Sequence, residues 1–450
     1  MANVELSRKR LTAFVSPQVP LAALGLPLVV NLPPYYATEM GLGLVAVSQA
    51  FFLARVWDTA LDPAFGYVSD KFNFRLGRRR PWMLLGGVIM MVMIDRLFLP
   101  EQGVTARDLF INLFLFYVGW TFVTLSHLAW SSELSDDYHQ RSRVQGWYQI
   151  AIVIGLASVL VLTSSVEQYG GGRADQVAAM GRYAMVLLPI TILAASYFMG
   201  ERPVPPRHHA IEPGAAWKSF LRNRPLRFVV AIDFMASFSA GLTGASFIFF
   251  AQHVLKLGQY SGVLLMIYFL TGIAGVPLWT QLAIRIGKHR CYMAACAYGT
   301  VLWPPLLLLP PGHFWYAAFA FGVLGVNYGA FALLARSMMS DVTDVDRLDT
   351  GQDRSGLFFA LLSLTAKLGY AVPLIVFYPI YHAIGFDPSS SSNSPEALTG
   401  LTLIYVGVPL FLMTASVLLM RRYPIDEARQ KELRRAIDER LMQAQAAPSE

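Results

Sequence analysis

Charge is scarce in this 450-residue chain: 14% of its residues are Asp, Glu, Lys or Arg, and 55% are hydrophobic. Soluble domains carry about 25% charged residues, so most of this surface faces something other than water. Cysteine is scarcer still. Cys291 and Cys296 are the only two, too few for a disulfide framework or a metal cluster. No nucleophile triad, Gly-rich phosphate loop or metal-ligand spacing stands out. Those absences remove support for ATP-driven work and for enzymatic catalysis, and no cofactor is expected.

Long apolar runs are what the chain has in quantity. A helix that crosses a bilayer needs about 20 mostly apolar residues. Such runs recur at about 11–36, 44–69, 81–100, 108–133, 144–167, 181–200, 226–254, 260–284, 290–310, 313–338, 355–383 and 398–421. The expected fold is an all-α membrane protein with twelve transmembrane helices. Met1–Arg10 is short and basic, and the apolar run behind it is too long for a signal-peptide core, so it reads as an uncleaved first helix. If the N-terminus lies inside, 29 of the 36 Lys and Arg fall on the cytoplasmic side. Only Arg96, Arg107, Arg173, Arg182 and Lys256 fall on the other. The positive-inside rule then puts both termini in the cytoplasm of a multi-pass inner-membrane protein. The net charge of +7 comes from this asymmetry and calls for no nucleic-acid partner. The bilayer and a small molecule are the expected partners, and a monomer the expected state.

The longest connection, Glu201 to Arg227, is rich in Pro, Arg and His and divides the chain into two six-helix halves. The expected division is 1–200, a linker 201–225, a second half 226–421 and a cytoplasmic tail 422–450. Shifting the first half by 214 positions lays Pro34-Tyr35-Tyr36 on Ile248-Phe249-Phe250 and Pro63 on Pro277. Arg78-Arg79-Arg80 corresponds, after a shorter loop, to Lys288-His289-Arg290. After span two, Gly66, Asp70-Lys71, Gly77 and Arg78-Arg79-Arg80 resemble the signature of the major facilitator superfamily. Physically, Gly66 permits close helix approach, and the charges can form a cytoplasmic latch that makes and breaks between states. Arg78, Arg79 and Arg80 also satisfy the positive-inside rule by themselves; the Gly and Asp spacing is what topology alone does not require.

Three ionisable residues sit inside span two: Arg55, Asp58 and Asp62. Each charge at the bilayer centre costs about 2.5–3.5 kcal/mol on insertion scales. Spacings of three and four put them on one helical face. Asp58 lies about 18 Å along the axis from Asp70 at 1.5 Å per residue, near mid-membrane. Two close carboxylates repel unless a proton or cation sits between them, so the pair reads as a proton or Na+ site. The blander reading is an Arg–Asp clamp that ties helices together. Span eleven holds one cation, Lys367, far from either end, as a counter-charge.

Longer motifs carry a more specific resemblance. The run from Arg55 through Trp57, Asp58, Leu61, Asp62 and Pro63 to Gly66 is one. Trp130-Ser-Ser-Glu133-Leu134, followed by Arg141 and Arg143, is another. Asp341-Val-Thr-Asp344-Val-Asp346, Thr350-Gly351, Arg354 and Gly356, leading to Lys367, is the third. Together they span both halves and resemble the glycoside–pentoside–hexuronide:cation symporter family of the major facilitator superfamily. The resemblance implies a major facilitator fold, cation-coupled uptake of a sugar or glycoside by alternating access, cation binding at Asp58 and Asp62, and the family lysine at Lys367. Departures from the family pattern are specific. Acids that hold the family's sugar in spans one and four fall on Ala22 and Ser126, an Asn beside the cation pair becomes Leu61, and an Arg early in span five is replaced around Trp147-Tyr148. The pocket has kept aromatics and lost acids, so sugar is the family default. Losing an amide oxygen at Leu61 favours a proton over Na+, which wants several oxygen ligands; Thr59, Thr121 or Thr124 could supply one.

Lesser candidates each have a plain structural reading. Tyr36, Trp57, Trp120, Trp130 and Tyr268 could line a central cavity or simply pack, and Tyr35 and Tyr36 could sit in an interfacial belt. Ser126 and His127 could contact substrate, although a lone buried His is usually bonded to a neighbouring helix. Asp233 could be a gate near the cytoplasmic end of span seven. Asp341 and Asp344, with Asp346, read as cytoplasmic gate elements or a solvated face. Ile425–Arg440 has the alternating charges of a solvated tail helix. Two other readings stay open: a carrier of an amphipathic or lysolipid solute, and a non-transporting membrane sensor or assembly factor.

Overall fold

Within hydrocarbon, every backbone N–H and C=O must be satisfied inside the chain, and helices do so locally. The computed structural model follows that rule. It describes residues 7–72, 74, 76–134, 138–201, 222–350, 354–390, 392–425 and 432. Within them are twelve helical stretches long and apolar enough to cross a membrane, from Arg8–Val30 to Pro395–Met420. Most of the expected linker, and the expected tail helix but for Ile425 and Glu432, lie outside the described residues.

Several spans are interrupted where the sequence supplies a reason. Span one, Arg8–Val30, breaks at Ser16-Pro17, because Pro17 has no N–H to continue the ladder. Span seven runs as an α-helix over Arg224–Phe249 and closes in a π-turn, Phe250–Val254. Span ten, Phe314–Leu348, is two helices, Phe314–Gly325 and Tyr328–Thr350, parted at Val326-Asn327. Close contacts elsewhere depend on glycine. A Cβ on Gly86 of span three would meet Gly119 O at 2.7 Å, and one on Gly119 of span four would meet Gly86 O at 2.8 Å. Without those two hydrogens the two spans could not approach as they do.

Packing divides the chain into two compact units that differ from its two halves. The first unit holds residues 1–208, 244–266 and 371–401; the second holds 209–243, 267–370 and 402–450. Chain order and packing therefore partition the molecule differently. Within the first unit, parts of spans seven, eight and eleven pack with the first six spans. Within the second, a core of Leu226, Val229, Ile232, Tyr292, Met338 and Phe358 buries both thiols, Cys291 and Cys296, unpaired with each other.

Candidate functional site

Span two, Leu44–Gly66, carries Arg55, Asp58 and Asp62 on one face, as their spacing predicts. Asp58 is fully buried. The Arg55 guanidinium donates to Asp58 Oδ2 at 3.4 Å and lies 4.8 Å over the ring of Tyr117. Thr121 of span four lies between the acids, with its Oγ1 3.3 Å from Asp58 Oδ1 and 3.3 Å from Asp62 Oδ1. Of the three threonines offered by the sequence, this is the one brought to both carboxylates; Thr59 and Thr124 spend their hydroxyls on Arg55 O and Trp120 O. A threonine hydroxyl has one hydrogen, so it donates to one carboxylate at a time. Tyr117 was missed in the sequence because an aromatic one turn before Thr121 looks like any packed ring.

Of the residues considered for substrate, Trp57 stacks on Phe114 at 4.3 Å, and Trp120 is half-buried beside Phe116. Trp57 Nε1, Ser126 Oγ and Trp130 Nε1 are buried polar atoms with no hydrogen-bond partner among the described residues. Each such atom costs about 1–3 kcal/mol. Ser126 and Trp130 lie one turn apart on span four. His127 is different. Its Nε2 bonds Phe14 O at 2.7 Å and its Nδ1 meets Gln18 Nε2 at 2.8 Å, while Tyr148 stacks on its ring. Both ring nitrogens tie span four to span one. Tyr36 is likewise committed: it is wholly buried, and its hydroxyl donates to Leu97 O at 3.0 Å. Tyr268 belongs to the second unit, in contact with Tyr328 at 5.7 Å between ring centroids. Lys367 is half-buried in the same unit, two residues beyond Thr365, which donates to Asp233 at 3.0 Å.

The loop after span two needs one correction. Among the described residues a Cβ on Gly66 would meet nothing within 4 Å, so none of them makes the close approach expected there. The glycine that matters is Gly77, at φ +111°, where a Cβ would meet the Glu201 carboxyl carbon at 2.5 Å. The backbone turn aims the N–H groups of Arg78, Arg79 and Arg80 at Glu201, with 3.0 Å from Arg79 and 2.7 Å from Arg80. Arg79 also donates to Ser69 Oγ at 3.2 Å, and Arg80 lies 5.5 Å over Trp130. Glu201 went unnoticed because the sequence shows side-chain charge, whereas its partners are backbone amides. The Asp70 side chain lies outside the described residues. In the second unit, both carboxylate oxygens of Asp341 accept from Lys288 Nζ, at 2.7 and 2.8 Å. Asp344 is half-buried, and Asp346 is paired with Arg354, a bond that holds the guanidinium above its ordinary pKa.

Twelve spans with charges held inside them are the architecture of a transporter of the major facilitator type, a multi-pass inner-membrane carrier of a small solute. The chain belongs to the MFS/sugar transport protein family, whose description matches residues 13–427. It is 23% identical over 420 residues to a glucuronide carrier protein homolog of Escherichia coli K12, covering 90% of each chain. It is 22% identical over 459 residues to a sodium-dependent lysophosphatidylcholine symporter of Xenopus tropicalis, covering 91% of this chain and 84% of that one. A crystal structure of the nucleoside transporter NupG superposes with a TM-score of 0.66 at 13% identity, over 93% of this chain and all of that one. At that identity the likeness concerns the fold.

Proposed function

We propose that the chain is a symporter that couples movement of a hydroxylated small solute, a sugar or glycoside, to a proton or Na+ bound at Asp58 and Asp62. The observation that carries this reading is the oxygen triangle of Asp58, Asp62 and Thr121. One hydroxyl hydrogen serves two carboxylates, and the fully buried Asp58 is partly balanced by Arg55. A proton or cation arriving between the acids removes their repulsion; its departure restores it. A ligand moves a conformational equilibrium only by binding the two states unequally, and a site whose charge depends on occupancy provides that inequality. Lys367 of span eleven carries an intramembrane charge within the second unit. Ser126 and Trp130, with their unpartnered polar atoms, offer the solute a donor and an acceptor. Both termini lie in the cytoplasm, and the chain works as a monomer.

The relatives named as a glucuronide carrier and as a sodium-dependent symporter support solute class and coupling respectively. Five protein oxygens from Asp58, Asp62 and Thr121 could hold Na+, yet Leu61 adds none, and that favours a proton. The test is solute-driven proton and Na+ uptake in proteoliposomes. Asp58→Asn and Asp62→Asn each abolish coupled uptake; coupling at the wild-type level in both variants rejects the proposal.

A second reading has its own support. Ala22 stands where a sugar-holding acid is expected, and one relative carries lysophosphatidylcholine by name. Uptake of lysophosphatidylcholine with no response to any glycoside would select it.

A further inference from the structure

We infer that Tyr328 and Tyr370 of the second unit, with Tyr268, form a hydroxyl-bearing platform for the ring of a glycoside; this deepens the symporter reading and rests on it. The argument begins with the break in span ten. Gly325-Val-Asn-Tyr-Gly329 places two glycines four apart, the spacing that lets membrane helices approach closely. Span eight answers with Gly272: its missing Cβ would meet Gly325 O and Tyr328 Cβ, both at 3.0 Å, and a Cβ on Gly329 would meet Gly272 O at 2.9 Å. Glycine against glycine thus brings span ten onto span eight where its helix is interrupted. Interrupted membrane helices are tolerated where they are buried in protein or line a cavity, and they recur at transport sites.

Tyr328 is the first residue after the interruption. Its ring is fixed by Phe269, edge-on at 4.8 Å, and by Tyr268 at 5.7 Å. Its phenol neighbours that of Tyr370 on span eleven. Even so, 36% of Tyr328 remains exposed.

The direction of that exposure follows from Lys367. Lys367 and Tyr370 are three apart on one helix and share a face. Charged side chains within a membrane face the protein interior or a watery cavity, not lipid. Tyr370 and the neighbouring Tyr328 therefore border the same polar space. Behind them the backbone is braced, since a Cβ on Gly241 of span seven would meet Tyr370 Cα at 2.8 Å.

Two phenols in contact can donate and accept, while their ring faces stay flat and apolar. A pyranose presents the matching surface, hydroxyls at its rim and C–H groups on its face. A lysolipid acyl chain would use the rings and leave the hydroxyls idle.

The experiment titrates the purified chain in nanodiscs by calorimetry with p-nitrophenyl galactosides, glucosides and glucuronides, their monodeoxy analogues, and lysophosphatidylcholine. The wild type binds at least one of the glycosides. Tyr328→Phe and Tyr370→Phe each weaken that glycoside by about tenfold, the size of one lost hydrogen bond. The penalty disappears for the deoxy analogue lacking the hydroxyl in contact, a selectivity that a packing role would not produce. Binding of lysophosphatidylcholine is unchanged. Full affinity in both Phe variants, an equal loss against every deoxy analogue, or a wild type that binds none of the glycosides overturns the assignment. Failure of the symport reading shows separately, as coupled uptake retained by Asp58→Asn and Asp62→Asn.

Discussion

The ends of the spans are tied in different ways. At the end that carries the chain termini, the ties stay within one half of the sequence. Glu201, after span six, gathers the amides of Arg78–Arg80 before span three, and Lys288 at the start of span nine holds Asp341 of span ten. At the opposite end the ties cross from one half of the sequence to the other. Glu167 of span five accepts from Ser261 Oγ at 2.8 Å and from Gly262 N at 2.9 Å, at the start of the helix of span eight. Arg173 of span six donates to Gln252 in the π-turn of span seven, and within its own half to Thr38 Oγ1 at 3.2 Å. A carrier that opens its ends in turn must break ties of the second kind in every cycle, and can keep those of the first kind throughout. The comparison separates bonds that hold a half together from bonds that hold a state.

The sharpest way to break it is Gly77→Ala. The substitution puts a side chain at φ +111° and into the Glu201 carboxylate, a combination of backbone strain and lost capping worth about 3 kcal/mol. A tie within one half should register as stability alone. The melting temperature drops by several degrees, while the balance between end-open states stays as in the wild type. Gly103→Ala, also at positive φ but with nothing within 4 Å, carries the strain without the clash and drops less. Equal losses in the two variants would mean that Glu201 contributes nothing there.

Glu167→Gln is the converse case. It keeps the shape and removes the charge that strengthens the bonds to the helix start of span eight. Glu167 is half-buried, so a shift of about tenfold toward the state open at that end is expected, with little change in melting temperature. Spin labels at the exposed positions Tyr169 and Gln259 report it as a longer distance population. A lower melting temperature with an unshifted distance distribution would place Glu167 among the static ties.

Much of this was legible beforehand, and the division has physical causes. Apolar run length dictated the twelve spans, because hydrocarbon leaves the backbone no other partner. The span-two acids were legible because charge at that depth is costly unless held. Thr121 was only one of three threonines, since the crossing of spans two and four sets which hydroxyl arrives. Gly66 and Gly77 show the limit most plainly. Both were visible as glycines near a basic cluster, yet only φ and the position of Glu201 reveal which one is needed. That a lone buried His bonds a neighbouring helix was legible for His127, but its partners Phe14 and Gln18, more than a hundred residues away, were not.

Thr38→Val probes the ties between halves at one remove, through the Arg173 guanidinium that Thr38 holds within its own half and that also bonds Gln252. It removes the hydroxyl that accepts from Arg173 at 3.2 Å and leaves the Gln252 bond in place. Arg173 is only half-buried, and water can replace one neutral acceptor at modest cost, so the expected shift toward the open state is about threefold or less. Thr38 also donates to Pro34 O at 2.8 Å, a local bond whose loss would lower stability without moving the distribution between Tyr169 and Gln259. The two consequences are thus separable in one variant. A change in that distribution, however small, ties Thr38 to the state-holding set; a change in melting temperature alone returns it to the bonds that merely shape the turn after span one.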